Sequence, residues 1–227
     1  MSILQSLFNV ILHLDAKTLG EFMSHYGIYA FIMLFLIIFC ETGLVVTPFL
    51  PGDSLIFAAG AVAASTLSAN HLMGWPLIII LMAAAILGNM VNYSIGKTLS
   101  ERVNKRQKIK FIKMEYIDDT RKFFEKYGAL TIIITRFMPI IRTFTPFVAG
   151  VGEMKYRRFF TYNAIGGIAW VSFFFSIGYF FGTIPFVQQH FSLVVIGIVL
   201  VSVMPAVVIF LKKFIGRRKV EIKTPEE

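Results

Sequence analysis

Four charged side chains stand in stretches of sequence otherwise suited to lipid. Glu41 and Asp53 lie in "ETGLVVTPFLPGDS" (41–54), and Arg136 and Arg142 lie in "RFMPIIRTFTPFVAGVGEM" (136–154). An unpaired Asp or Arg at the centre of a membrane helix costs roughly 2.5–3.5 kcal/mol, so the four together would cost on the order of 10 kcal/mol. Their charges sum to zero, and mutual pairing of two acids with two bases is the expected remedy. A static ion cluster that pins two segments together would satisfy this, but the residue types also suit chemistry beyond pairing. Arg136 and Arg142 are six positions apart, about 240° around an ideal helix, so an unbroken helix would point them away from each other. Pro139 between them breaks the helix and lets both guanidinium groups turn toward one cavity, where their planar forks match phosphate oxygens. Glu41 and Asp53 suit proton coupling: a carboxylate that accepts a proton releases its arginine to an anion, and loss of the anion restores the pair. Asp53, after Pro51-Gly52, is also placed to be the N-cap of the helix that follows. The helix starts after Asp53 and Pro146 add backbone donors for an anion.

Other chemistries lack parts. The four histidines, His13, His25, His71 and His190, lie outside the arginine motif, so a histidine nucleophile or phosphatase triad is not assembled, and no enzyme is expected. Cys40 is the sole cysteine, which excludes an internal disulfide and a cysteine-based metal site; no metal or other cofactor is expected. "GNMVNYSIGK" places Gly88, Asn92 and Gly96 on one helical face with Asn89 and Tyr93 beside it, so Asn89, Asn92 and Tyr93 are candidate cavity-lining residues or helix contacts. "GYFFG" (178–182) reads as a helix-packing face, and Glu153 as interfacial.

The elements that position these residues are those of an all-α integral membrane protein. The chain has 227 residues, 56% of them hydrophobic, and a mean hydropathy of +0.73, above an ordinary soluble domain. A single membrane domain (1–227) is the simplest reading. Long apolar runs at 77–96, 159–182 and 191–211 each meet the roughly 20-residue requirement for a spanning helix. Two further apolar segments are interrupted: 28–64 by Pro48, Pro51 and Gly52, and 129–154 by Pro139, Pro146 and Gly150. Both read as broken helices, re-entrant hairpins that face each other. Backbone of that kind is tolerated at membrane depth only where protein or water covers it. Residues 1–24 form an N-terminal helix whose side of the membrane stays open.

The net charge of +9 is positional. Ten of the 22 basic residues fall between Lys97 and Lys126 and six between Lys212 and Lys223. The positive-inside rule therefore puts the basic amphipathic segment 97–127 and the tail 212–227 in the cytoplasm, with 65–76 and 182–190 outside. Anionic lipid headgroups account for the basic excess and no nucleic-acid partner is implied. Phe111, Ile112, Tyr116, Phe123 and Phe124 are available to lie on the lipid surface.

The two interrupted segments resemble each other. Tyr26-Gly27 recurs at Tyr127-Gly128, and Pro48-Phe49-x-x-Gly52 recurs at Pro146-Phe147-x-x-Gly150. Inverted repeats built from broken helices are the usual construction of a secondary transporter.

"ETGLVVTPFLPGDS" and "RFMPIIRTFTPFVAGVGEM" together resemble the paired signature of the DedA family of bacterial membrane proteins, over roughly 25–182. The resemblance implies a helical fold of the bacterial cytoplasmic membrane with two facing re-entrant hairpins. It implies a part in recycling lipid carriers such as undecaprenyl phosphate and in resistance to alkaline pH and drugs that depends on the proton-motive force. Eukaryotic relatives act as phospholipid scramblases. The family's essential positions fall on Glu41, Asp53, Arg136 and Arg142. The leading expectation is a proton-coupled flippase of undecaprenyl phosphate, with anionic membrane lipids as neighbours and a homo-oligomer left open. The alternatives are a passive phospholipid scramblase and a proton-coupled antiporter of small cations or drugs, the latter disfavoured by two arginines that would repel a cation.

Overall fold

A computed structural model describes residues 16–44, 52–66, 74–104, 124–190 and, singly, 193, 194 and 197. Pro48, Pro51, residues 105–123, most of the expected span at 191–211 and the basic tail lie outside the described residues. Among the described residues every regular element is a helix. They are α1 (Ala16–Tyr26), α2 (Ile28–Gly43), α3 (Gly52–Thr66), α4 (Gly74–Asn104), α5 (Leu130–Thr135), α6 (Pro139–Val151), α7 (Tyr156–Phe181) and α8 (Pro185–Gln189).

Composition and punctuation explain the lengths. α4 has 31 residues and α7 has 26, which gives about 46 and 39 Å and exceeds the roughly 30 Å of bilayer hydrocarbon. The expected spans at 77–96 and 159–182 lie within or against these two helices, and α4 carries on through Lys97 into the start of the segment read as a separate amphipathic element. The interrupted segments are divided as their prolines and glycines suggest. Residues 28–64 hold two helices, α2 and α3, of 16 and 15 residues. In 129–154, α5 stops at Thr135 and α6 starts at Pro139, with Met138 held extended (φ −119°, ψ 99°) as the residue before a proline must be. Both Tyr-Gly pairs mark the same event. Gly27 (φ +51°) and Gly128 (φ +69°) take positive φ, which glycine adopts without a Cβ clash, and their N–H groups donate to Met23 O and Phe124 O, each at 2.9 Å, turning the chain into α2 and toward α5.

Two of the expected breakers behave otherwise. Pro146 sits inside α6, and Gly150 lies in its last turn. Pro146 removes the N–H that would meet the Arg142 carbonyl one turn back, and the helix carries on through it to Val151; Asn92 Nδ2 donates to the neighbouring Thr143 carbonyl (2.7 Å). Gly150 serves contact: a Cβ there would overlap the Tyr93 carbonyl of α4. Phe124, expected at the lipid surface, is instead buried in a small core with Tyr93, Ala129, Ile132, Ala149 and Phe159.

Helices in lipid gain no hydrophobic energy by meeting each other, so close backbone approach must hold them. α3 is buried along Asp53–Ala63 and packs most extensively on α7, while α6 and α2 pack on α4. The first and second of these contacts share one pattern. Phe57-x-x-Gly60 of α3 meets Phe175-Ser-Ile-Gly178 of α7, and Phe147-x-x-Gly150 of α6 meets Tyr93-Ser-Ile-Gly96 of α4. A Cβ on any of the four glycines would overlap a backbone carbonyl of the opposing helix. Gly150 thus has Gly60 as its packing counterpart rather than Gly52, whose neighbour is the Glu41 carboxylate.

Because backbone cannot yield as a flexible side chain can, Gly150→Ala and Gly178→Ala are each expected to destabilise by about 1–3 kcal/mol. Thermal unfolding of detergent-purified protein checks this, with Ser176→Ala at an exposed position leaving the midpoint within error.

Candidate functional site

Four helices converge on Arg142. Glu41 stands in the last turn of α2, Asp53 in the first turn of α3, Arg142 in the first turn of α6 and Trp170 midway along α7, and none is more than 7% exposed. Arg142 Nη1 donates to Asp53 Oδ1 (2.5 Å) and Nη2 donates to Glu41 Oε1. The indole N–H of Trp170 donates to the same Asp53 oxygen (3.1 Å), and the Arg142 guanidinium lies over the Trp170 ring, 4.8 Å from its centre. A cation over an indole face adds to the ion pairs when both are removed from water.

Local sequence explains the convergence. At Gly52 a Cβ would fall on the Glu41 carboxylate, so glycine lets the start of α3 meet the end of α2. Gly43 and Gly88 meet backbone to backbone where α2 crosses α4. Beside that crossing, the fully buried Asn92 donates to the carbonyls of Thr42 (3.3 Å) and Thr143 (2.7 Å), the residues that follow Glu41 and Arg142. Asn92 therefore ties the acid-bearing helix to the arginine-bearing one. Asp53 falls within the first turn of its helix, and Oδ1 is engaged by Arg142 and Trp170 rather than serving as an N-cap.

Arg136 departs from the expected two-by-two pairing. It caps the end of α5 and its guanidinium reaches neutral acceptors: Nη2 donates to Asn163 Oδ1 (2.6 Å) and Ala85 O (3.2 Å). With its oxygen toward Arg136 Nη2 (2.8 Å) and its nitrogen toward the Thr42 carbonyl (3.1 Å), the Asn89 amide finds a complementary partner at both ends. The face of Arg136 lies on Gly166 and Gly167, where a Cβ would press on its side chain. Among the described residues Arg136 has no carboxylate partner. The reason is geometric: both acids sit where α2 ends and α3 begins, and one planar fork with two donor edges takes both.

Arg136 and Arg142 nevertheless line one enclosed cavity with Thr42, Asn89, Thr143 and Trp170. Its volume is about 10 Å³, room for about one water, so this is a closed arrangement. Of the candidate lining residues, Asn89 faces this cavity, whereas Asn92 is the tie just described and Tyr93 donates its hydroxyl to Met154 O and stacks on Phe159 at 4.3 Å. Glu153, at φ +55°, accepts from Ser100 (3.0 Å) away from this site. Trp170, Asn163 and the Gly166-Gly167 pair belong to the site although the charged motifs do not point to them. Their signal is present in "NAIGGIAW" (163–170), which puts Asn163, Gly166, Gly167 and Trp170 on one face of an apolar helix. No cluster of three or more metal-ligating side chains occurs among the described residues.

Paired short helices packed on two long apolar ones, with a buried arginine held by two acids at their junction, fit a helical membrane protein built around a buried ion cluster. Residues 50–180 match the VTT domain model. The chain is 49% identical over 208 residues to Protein DedA of Escherichia coli K12, covering 92% of this chain and 94% of that one. It is 38% identical over 198 residues to an uncharacterized membrane protein of Mycobacterium tuberculosis (85% and 84% covered) and 32% identical over 191 residues to inner membrane protein YghB of Escherichia coli K12 (84% of each). The chain belongs to the DedA family. No solved structure matches it.

Removing one partner of a buried ion cluster leaves uncompensated charge, so Arg142→Ala is expected to cost about 3–5 kcal/mol. Neutralising the whole triad (Glu41→Gln, Asp53→Asn, Arg142→Met) restores much of that loss. Chemical or thermal unfolding in detergent reads both; equal destabilisation by the single and triple variants would contradict an ion-paired cluster.

Proposed function

We propose that the protein is a proton-linked transporter of an anionic lipid carrier, with undecaprenyl phosphate as its leading substrate, in the cytoplasmic membrane of a bacterium. The observation that carries this reading is Arg142, whose fork is occupied by two carboxylates while it shares a cavity with a second arginine. Protonation of Glu41 or Asp53 loosens the fork, and a phosphate ester takes the place of the lost carboxylate; release of the lipid returns the arginine to its acids. Proton and anion are then exchanged on one side chain.

The helix lengths support facing re-entrant segments. α2, α3 and α6 are about 24, 22 and 20 Å long, each shorter than the hydrocarbon of a bilayer. The recurrent crossings also support two related halves, because each short helix bearing F-x-x-G packs on the long helix that follows the other one. The basic residues of 97–127 and of the tail support a cytoplasmic side for both, by the positive-inside rule. The neighbouring Phe-rich face of α7 leaves Phe173, Phe180 and Phe181 exposed to lipid tails.

The test is translocation of undecaprenyl phosphate in proteoliposomes with and without an imposed pH gradient. Wild type is expected to move the lipid faster with the gradient. Arg142→Lys, which keeps the charge and loses the fork, is expected to fall about tenfold or more, equivalent to one charge-assisted hydrogen bond. Movement indifferent to the gradient identifies a scramblase, and a folded protein that moves no lipid but exchanges cations for protons identifies an antiporter.

A further inference from the structure

The two arginines are buried alike and compensated differently. Arg142 has both terminal nitrogens on carboxylates and its face on Trp170. Arg136, 3% exposed, is held by Asn163, the Ala85 carbonyl and Asn89, all neutral, and its Nε has no partner among the described residues. A buried cation without an adjacent counter-charge is costly, and neutral carbonyls meet its donors without cancelling its field. The compensating negative charge is instead concentrated on the other side of the shared cavity, where two carboxylates hold a single arginine. Arg142 Nε is likewise without a partner among the described residues.

We infer that the two arginines divide the binding of one anion between them, with Arg136 as the standing anchor for a phosphate-ester oxyanion and Arg142 as a second anion ligand withheld by Glu41, Asp53 and Trp170. This deepens the lipid-phosphate reading and rests on it for the origin of the anion. Charge fixes the direction of its consequence. With both acids ionised the four groups sum to zero, and an entering oxyanion must compete with two carboxylates for Arg142. Replacing one acid by its amide leaves the cluster one positive charge in excess and frees part of the fork. Acid substitutions that would stop a transport cycle therefore hold the anion more tightly. The closed cavity, with room for about one water, fits the withheld state.

The chain carries its own reporter, because only two tryptophans are present and Trp75 is 74% exposed at the start of α4. In detergent-purified Trp75→Phe protein the remaining indole lies against Arg142. Its emission is titrated with a short-chain prenyl phosphate, with inorganic phosphate and with the corresponding prenyl alcohol. The expected result is a saturable change with prenyl phosphate, tightened fivefold or more by Glu41→Gln and by Asp53→Asn. Arg136→Gln abolishes the response. Arg142→Gln leaves weak binding that no longer answers to either acid substitution. Monodispersity by size exclusion qualifies each variant, and either acid variant alone suffices for the comparison. Acid variants that bind no tighter than wild type overturn the withholding, and equal losses in Arg136→Gln and Arg142→Gln overturn the division. A response to the alcohol equal to that of the phosphate overturns an anion site altogether. Inorganic phosphate binding as tightly as the ester keeps the site and removes the lipid from it, while tightened ester binding without lipid movement in proteoliposomes sinks the transport reading alone.

Discussion

One guanidinium group with two carboxylates is the constraint on which the rest of the structure depends. Arg142 has a planar fork, and each edge takes one acid, so the end of α2 and the start of α3 must approach the start of α6 from defined directions. That demand explains features otherwise unrelated. Gly52 leaves room for the Glu41 carboxylate, Gly43 and Gly88 allow α2 to lie close to α4, and Asn92 fixes the turns just beyond Glu41 and Arg142. Trp170 closes the remaining side with a donor for Asp53 and a ring for the guanidinium. A lysine would supply charge without the two edges that set these directions.

The surroundings of this cluster reflect the solvent. Within a bilayer apolar side chains gain little by leaving lipid for protein, so many remain outside: Phe173, Phe180 and Ile79 are half exposed or more. Association then relies on backbone contact at glycines and on polar ties. The F-x-x-G and F/Y-S-I-G pairs supply the first, and Asn92 and Asn163 supply the second. Asn163 also donates to the Ile86 carbonyl (3.0 Å), so a single amide both orients Arg136 and joins α7 to α4.

Much of this is legible in sequence because intramembrane charge is rare and costly. The pairing of Arg142 with Glu41 and Asp53 follows from that cost, the break at Pro139 follows from proline's missing N–H, and both Tyr-Gly pairs set a glycine at positive φ. What sequence hides depends on which backbone meets which. Nothing local distinguishes Gly52, which faces a carboxylate, from Gly150, which faces a carbonyl, so an alignment by residue type joins two glycines with different packing roles. Proline chemistry alone likewise overstates Pro146, which stands inside α6 without ending it. Trp170 is hidden among aromatic residues that suit any lipid-facing span, although its helical register with Asn163 and the glycine pair sets it apart.

The same contacts restrict how the closed cavity can open. α3 is locked to α7 by Gly60 and Gly178, and α6 to α4 by Gly150 and Gly96, so each short helix is bound to the long helix following the other. Drawing α1–α4 away from α5–α8 as rigid bodies would break both crossings and the arginine link together. Breaking the Arg142 fork alone leaves both crossings intact and frees only the end of α2 and the starts of α3 and α6. Glycine contacts resist sliding because backbone sits against backbone, whereas an ion pair can be exchanged for another of equal charge at small net cost. The element able to change partner is therefore the charged one, at the junction where the short helices meet, and the packed crossings are the frame against which it moves.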